Sequence, residues 1–241
     1  MSQIIYLTSS PAFHFTGPII PDNRFIDSLR ADLPKDCRYL YITSKPDDAL
    51  FTKAAAIGIR RNLEDAGFTF GETRLLYDAT ADQAAELIRW ANFIILSGGH
   101  TPTEHIFFDR IGLKELLADF NGVLMGISAG SMNAAEIVYA QPEEPGEGTD
   151  PDYVKYYPGL GLTKAQILPH YQMTKDNILD GLRLFEDIIY KDSMGHEFLA
   201  FPDGTYIYIK EGIEELRGEC YLVKDGTCTK ILENGETRIL S

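Results

Sequence analysis

Gly122-Val-Leu-Met-Gly-Ile-Ser-Ala-Gly-Ser131 is the stretch whose reading decides this chain. Val123 to Ile127 read as a short buried strand, and Ala129 to Tyr139 as the helix that follows. Between them Gly126, Ser128 and Gly130 fall at the spacing G-x-S-x-G. A serine on such a strand-to-helix turn is a nucleophile elbow. Small flanking residues let the chain turn sharply, which lifts the hydroxyl above the strand ends with a helix N-terminus behind it. The same pattern also serves as a tight packing turn, so its surroundings have to decide.

Outward from the elbow, strand and helix alternate. Upstream, Ile4–Thr8, Tyr39–Thr43, Arg74–Tyr77 and Phe93–Leu96 are short apolar strands. The segments between them carry helical periodicity: 24–33, with Asp22 or Asn23 as cap, 47–66, capped by Asp47 or Asp48 and closed by Gly67, and 81–90. Helical stretches to Phe108 and over 113–120 lead back to the elbow. Downstream, 141–158 is acidic and carries four prolines, and it reads as an irregular loop. Gln166–Leu168 read as a strand, 177–190 as a helix, and 198–201 and 206–209 as strands around the turn Pro202-Asp203-Gly204. The segments 221–223, 229–232 and 237–240 close the chain as a β-meander. The alternation predicts an α/β fold, a mostly parallel doubly wound sheet flanked by helices, with antiparallel C-terminal hairpins at one edge. One hydrolytic domain over 1–241 is expected, with 205–241 as its β-meander extension.

The bulk numbers narrow the function. A net charge of −14 disfavours nucleic acid and anionic membrane surfaces, both of which need a basic face. Cys37, Cys220 and Cys228 are odd in number and lack metal-binding spacing, which fits a reducing cytoplasm. The first residues carry no basic run and read as a strand rather than a signal peptide. No apolar run approaches the ~18 residues of a membrane span.

In open α/β sheets, ligands bind beyond the carboxyl ends of the strands. Ser128 lies there, and the backbone N–H of Ala129 faces the same space as half an oxyanion hole. Gly98-Gly99 directly follow a buried strand, where their N–H groups can approach a ligand closely or simply end the strand. His170 follows a strand 42 residues after Ser128 and could act as its general base, or be a buried hydrogen-bonded histidine. His100 could line the site. His105 and His196 read as structural or exposed, and His14 lies in a less defined context. A carboxylate to orient the base could come from Glu143, Glu144, Glu147, Asp150 or Asp152, among which chemistry alone does not choose.

Together, Leu96-Ser-Gly-Gly-His100, Gly126-Ile-Ser-Ala-Gly-Ser131 and Gly159-Leu-Gly-Leu162 leading to Ile167-Leu-Pro-His170 resemble the peptidase S51 group in order and spacing. This group comprises dipeptidase E and the cyanophycinases, serine peptidases on a class I glutamine amidotransferase-like sheet. The resemblance covers roughly residues 1–210. It implies Ser128 as nucleophile, His170 as base, oxyanion donors at Gly98 or Gly99 and Ala129, and a triad acid from the loop after the elbow helix. Ungapped counting gives Glu143 for that acid; a small gap gives Glu144 or Glu147. The glycine turn reads His100-Thr101-Pro102-Thr103 where the family commonly has asparagine and then Thr-Phe, so the family's aspartyl preference does not carry over.

The implied activity is hydrolysis of a small peptide or related amide through an acyl-enzyme. Neither a metal nor an organic cofactor is implied, no nucleic-acid or membrane partner is expected, and a homo-oligomer stays open. Two alternatives stand beside it. One is an esterase of the α/β-hydrolase type, which would show an antiparallel leading half of the sheet. The other is a non-catalytic small-molecule-binding protein on the same scaffold.

Overall fold

The strands around the elbow assemble into one sheet. The computed structural model describes residues 3–13 and 17–240, so His14 lies outside the described residues. The first half runs β1 (Ile4–Thr8), α1 (Phe25–Asp32), β2 (Tyr39–Ile42), α2 (Ala49–Asp65), β3 (Thr73–Leu76), α3 (Ala84–Trp90), β4 (Phe93–Leu96), α4 (Thr101–Arg110), α5 (Leu113–Leu117), β5 (Val123–Ile127) and α6 (Ala129–Met132). These five strands lie side by side in the order β1-β5-β4-β2-β3, each parallel to its neighbour. Every residue of β2 and β4 is buried, as expected of parallel strands covered on both faces. Alternate side chains serve opposite cores. Leu7, Leu40, Ile94 and Leu124 pack on one face, and Tyr6, Tyr39, Phe93 and Met125 on the other.

The second half runs β6 (Ile137–Tyr139), β7 (Tyr156–Pro158), β8 (Gln166–Leu168), α7 (Tyr171–Thr174), β9 (Ile178–Leu179), β10 (Leu182–Arg183), α8 (Tyr190–Asp192), β11 (Glu197–Ala200), β12 (Tyr206–Lys210), β13 (Ile213–Arg217), β14 (Cys220–Lys224), β15 (Thr227–Leu232) and β16 (Thr237–Ile239). Antiparallel β12, β13 and β16 extend the main sheet beyond β1 to eight strands. β8, β11, β14 and β15 make a separate four-stranded sheet over a core of Leu168, Phe185, Ile188, Phe198 and Val223. Within it β8 and β11 are parallel, with Leu168 opposite Ala200.

The fold class agrees with the sequence reading, and four local expectations are corrected. The C-terminal strands do not form one meander at one edge; they divide between the two sheets. The chain switches at Gly218, whose φ of 104° and close approach to the Asn23 side chain exclude a Cβ. The elbow helix stops at Met132 instead of running to Tyr139, because the carbonyls of Asn133, Ala134 and Ala135 accept from the N–H groups of Leu160, Leu162 and Gly161 rather than from a further helical turn, and Ile137–Tyr139 then pair with β7. Residues 177–190 are not one helix. Asp180-Gly181, both at positive φ, turn a short β9–β10 ribbon before a π-helical run over Leu184–Ile189. Asn23 and Asp22 do not cap α1, since the Asn23 side chain bonds Gly204 O and the Gly235 N–H. Asp48 does cap α2, accepting the Phe51 N–H at 2.9 Å.

Candidate active site

Strand register brings the candidate residues together. β1 and β5 pair Thr8 with Ile127, and β4 and β5 pair Leu96 with Gly126. One or two steps on, Ser9, Ser128 and Gly98 therefore emerge side by side at the carboxyl end of the sheet. In the second sheet β8 and β11 pair Leu168 with Ala200, so His170 and the Pro202-Asp203 segment also emerge as neighbours. The Tyr171 N–H bonds Phe201 O and the Phe201 N–H bonds Leu168 O, which locks these two exits together.

Ser128 sits at φ 52°, ψ −113°, a backbone state that a non-glycine residue adopts only when its surroundings impose it. Its N–H is shared between Thr8 O (3.0 Å) and Ser9 O (2.9 Å), and Ser131 Oγ donates to Thr8 O at 2.8 Å. The flanking glycines are there for closeness. A Cβ on Gly126 would lie 2.9 Å from the backbone of Ser131, and one on Gly130 would lie 2.5 Å from Leu96 O.

His170 Nε2 lies 2.8 Å from Ser128 Oγ, and His170 Nδ1 lies 2.7 Å from Asp203 Oδ1. Both side chains of the His–Asp pair are largely buried. Ser9 ties the group together. Its Oγ donates to Asp203 Oδ1 at 2.9 Å and accepts the His170 N–H at 2.8 Å. The carboxylate facing the histidine is thus Asp203, which the sequence reading treated only as a turn residue.

Glu143, the acid expected from loop counting, is elsewhere: its Oε1 accepts from Thr101 Oγ1 at 3.0 Å. Glu147 accepts the N–H groups of Glu143 and Glu144 and meets His100 Nε2 at 2.8 Å. Asp150 caps the N–H of Asp152 within the loop. His100 places its other nitrogen 2.7 Å from Thr103 Oγ1, so one ring nitrogen is engaged with the loop and the other with the first turn of α4. His105 stacks on Tyr157, and His196, which is exposed, stacks on Tyr156. His100, Glu144 and Glu147 bring potential ligand atoms within 4.8 Å of one another, but the hydrogen bonds just described account for the His100–Glu147 contact as a loop clasp.

Gly98, Gly99 and Ser128 border a cavity of about 640 Å³. Ser44 Oγ donates to Gly98 O at 2.6 Å, and a Cβ on Gly99 would collide with that Ser44 side chain at 2.2 Å. In a trans peptide the N–H points opposite to the carbonyl, so the Gly99 N–H is turned away from Ser44. Ala129, the first residue of α6, has no intrahelical acceptor for its N–H.

Burial pushes the Glu143 carboxyl up to about 7, against the pull of the Thr101 hydroxyl and His100, with Glu147 adding to the rise. Between its ordinary 4.5 and 7, the folded chain holds a proton that the unfolded chain has released. Stability therefore falls as pH rises through that window and stays lowered above it. Glu143→Gln cannot ionise, so its Tm relative to the unsubstituted chain is expected to be higher at pH 8 than at pH 5 by a few degrees. Thermal melts at the two pH values check this, and an equal difference at both would show that Glu143 is not the titrating group.

Comparison with known proteins follows the same lines. The model of peptidase family S51 matches residues 56–216, a span that includes Gly98, Ser128, His170 and Asp203. No curated protein matches the chain. Among solved structures, a peptidase E candidate from Listeria monocytogenes EGD-e is similar at a TM-score of 0.60 and 16% identity, over 96% of this chain and 100% of that one. At that identity the likeness concerns the fold alone. Because the family match spans well over half of its length, the chain belongs to peptidase family S51 and is a serine-type peptidase.

Proposed function

We propose that Ser128, His170 and Asp203 form a Ser-His-Asp triad that hydrolyses an amide bond of a small peptide through an acyl-enzyme. Asp203 takes the place of the loop glutamate, Glu143, expected from the resemblance. The observation that carries this reading is the double contact of His170, 2.8 Å to Ser128 Oγ and 2.7 Å to Asp203 Oδ1. Such a chain matches what a weak hydroxyl nucleophile needs: a base for its proton and an acceptor that fixes the base's tautomer.

In this mechanism Asp203 accepts from Nδ1–H of His170, which leaves the Nε2 lone pair facing Ser128. Oγ attacks the substrate carbonyl carbon as Nε2 takes its proton. The N–H groups of Ala129 and Gly99 stabilise the oxyanion that forms. The tetrahedral intermediate collapses, Nε2–H protonates the departing amine, and the acyl group remains on Ser128 Oγ. Water, deprotonated by Nε2, then releases the acid and restores the serine. Ser9 is a positioning residue here, since it bonds both the His170 backbone and the Asp203 carboxylate.

A fluorophosphonate probe followed by peptide mass spectrometry tests the nucleophile directly. The expected result is one adduct, on Ser128, absent from Ser128→Ala. No adduct, or an adduct elsewhere, would overturn the reading. The esterase alternative finds no support in the leading half of the sheet, where β1 to β5 are parallel.

A further inference from the structure

We infer that the cavity beside Ser128 receives the side chain on the acyl side of the scissile bond, and that it selects a bulky apolar or aromatic group over a carboxylate. The inference rests on the reading of Ser128 as nucleophile and adds the substrate class to it.

The lining supports the choice of chemistry. Pro11, Tyr41, Phe51, Ala55, Ile59 and Ile127 present apolar surface to the cavity, and none of the described residues around it is charged. Four of the wall residues, Phe51, Ala55, Gly58 and Ile59, recur along one face of α2, so a single helix stripe forms the outer wall. Small residues hold the space open: a Cβ added at Gly58 would meet nothing within 4 Å. The volume of about 640 Å³ lies in the range of small-molecule pockets and exceeds what one aromatic side chain fills. Phe51 is 39% exposed despite its size, as a residue at a pocket mouth would be.

Geometry supports the acyl side. A leaving nitrogen must come within hydrogen-bond reach of His170 Nε2 to be protonated. Among the described residues, the cavity wall includes Ser128, Gly98 and Gly99 but neither His170 nor Asp203. The space therefore opens on the oxyanion-donor side of Ser128, away from the proton donor, where the acyl portion lies.

The polar residues of the wall, Ser10, Asn62 and Ser97, are neutral, so a carboxylate in this pocket would be desolvated without a cation among the described lining residues, which is unfavourable. A cation near the mouth is Lys45, whose Nζ is 5.8 Å from the centre of the Phe51 ring and 3.6 Å from Asp48 Oδ2. That ammonium is exposed and already faces an acid, so it is weakly suited to recognising a second one.

The test is a panel of aminoacyl 4-nitroanilides of Leu, Phe, Ala, Asp and Lys, free and N-acetylated, with the matching peptide boronic acids as turnover-independent ligands. Leu and Phe are expected to exceed Asp and Lys by about 100-fold in kcat/KM or in boronate affinity. Ala55→Trp, which fills the cavity, should lower the Phe-to-Ala ratio at least about tenfold. Ile59→Lys should raise the Asp-to-Leu ratio. A preference for Asp, above all one abolished in Lys45→Met, would overturn the inference, as would an Ala55→Trp variant with an unchanged Phe-to-Ala ratio. Phosphonate labelling of Ser128 separates the two levels. Labelling together with an acidic preference overturns the pocket alone, whereas the absence of both labelling and boronate binding overturns the nucleophile and the pocket together.

Discussion

Ser128→Ala is expected to lower kcat/KM for any cleaved amide by about 10⁴-fold or more, with little change in Tm. The size follows from what is removed. Without Oγ no acyl-enzyme forms, and only binding and the oxyanion donors remain to assist water. The small effect on stability follows from the site's construction. The strained backbone at Ser128 is held by its own N–H on Thr8 and Ser9 and by Ser131 Oγ on Thr8, none of which uses the Ser128 hydroxyl. Alanine inherits the same constraint and loses one contact, to His170. Parallel measurement of turnover and thermal melting checks both halves. Activity within tenfold of the unsubstituted chain would remove Ser128 from the mechanism, and a collapsed Tm would show that the hydroxyl carries structure instead.

Asp203→Asn is expected to cost about 10³- to 10⁴-fold in kcat, while Glu143→Gln costs no more than a few-fold. In the triad the carboxylate accepts from Nδ1–H and so turns the Nε2 lone pair toward Ser128 to receive its proton. Ser9 Oγ and His170 Nδ1 meet the same oxygen of Asp203, Oδ1. An asparagine amide in that position would face Nδ1 and favour the opposite tautomer, with the proton on Nε2 pointing at Ser128, and a carbonyl there would lack the charge that stabilises the imidazolium. Glu143 contacts Thr101 rather than the histidine, so removing its charge acts on stability and not on the proton path. Assaying the two variants side by side distinguishes the acids. A large loss in Glu143→Gln with little in Asp203→Asn would return the role to the loop.

The two acids show where the sequence is readable and where it is not. Ser128, Gly98-Gly99 and His170 each follow a short apolar run, and the end of a buried strand is a local signal. In a parallel sheet, strand ends gather at one edge, which groups Ser128 with Gly98-Gly99; His170 ends a strand of the second sheet and reaches Ser128 only because the two sheets dock. Asp203 also follows such a run, Phe198–Phe201, but Pro202-Asp203-Gly204 between two strands reads as an ordinary hairpin turn. In the structure the strands on its two sides lie in different sheets, and the segment crosses above Ser9. Ser9 was hidden for the same kind of reason: Ser9-Ser10-Pro11 looks like a strand ending, and its partners are 161 and 194 residues away. The loop glutamates attracted attention through their number, yet the Glu143 carboxylate is occupied with Thr101 and that of Glu147 with His100 and the loop's own N–H groups.

By itself, then, the sequence determined the α/β class, the parallel leading half and the elbow with Ser128 at its tip. Each depends on short-range features: buried apolar runs of four or five residues, the G-x-S-x-G spacing, and glycines wherever a Cβ would strike Ser131 or Leu96. Only the tertiary structure decided which carboxylate faces His170, that Ser9 fastens it, and that the wall opposite Gly98-Gly99 is the apolar face of α2. Those depend on how two sheets dock and on register between strands far apart in the chain. A hydrogen bond such as that between His170 and Asp203 leaves no periodic or compositional trace along the sequence, because neither partner needs a particular neighbour to make it.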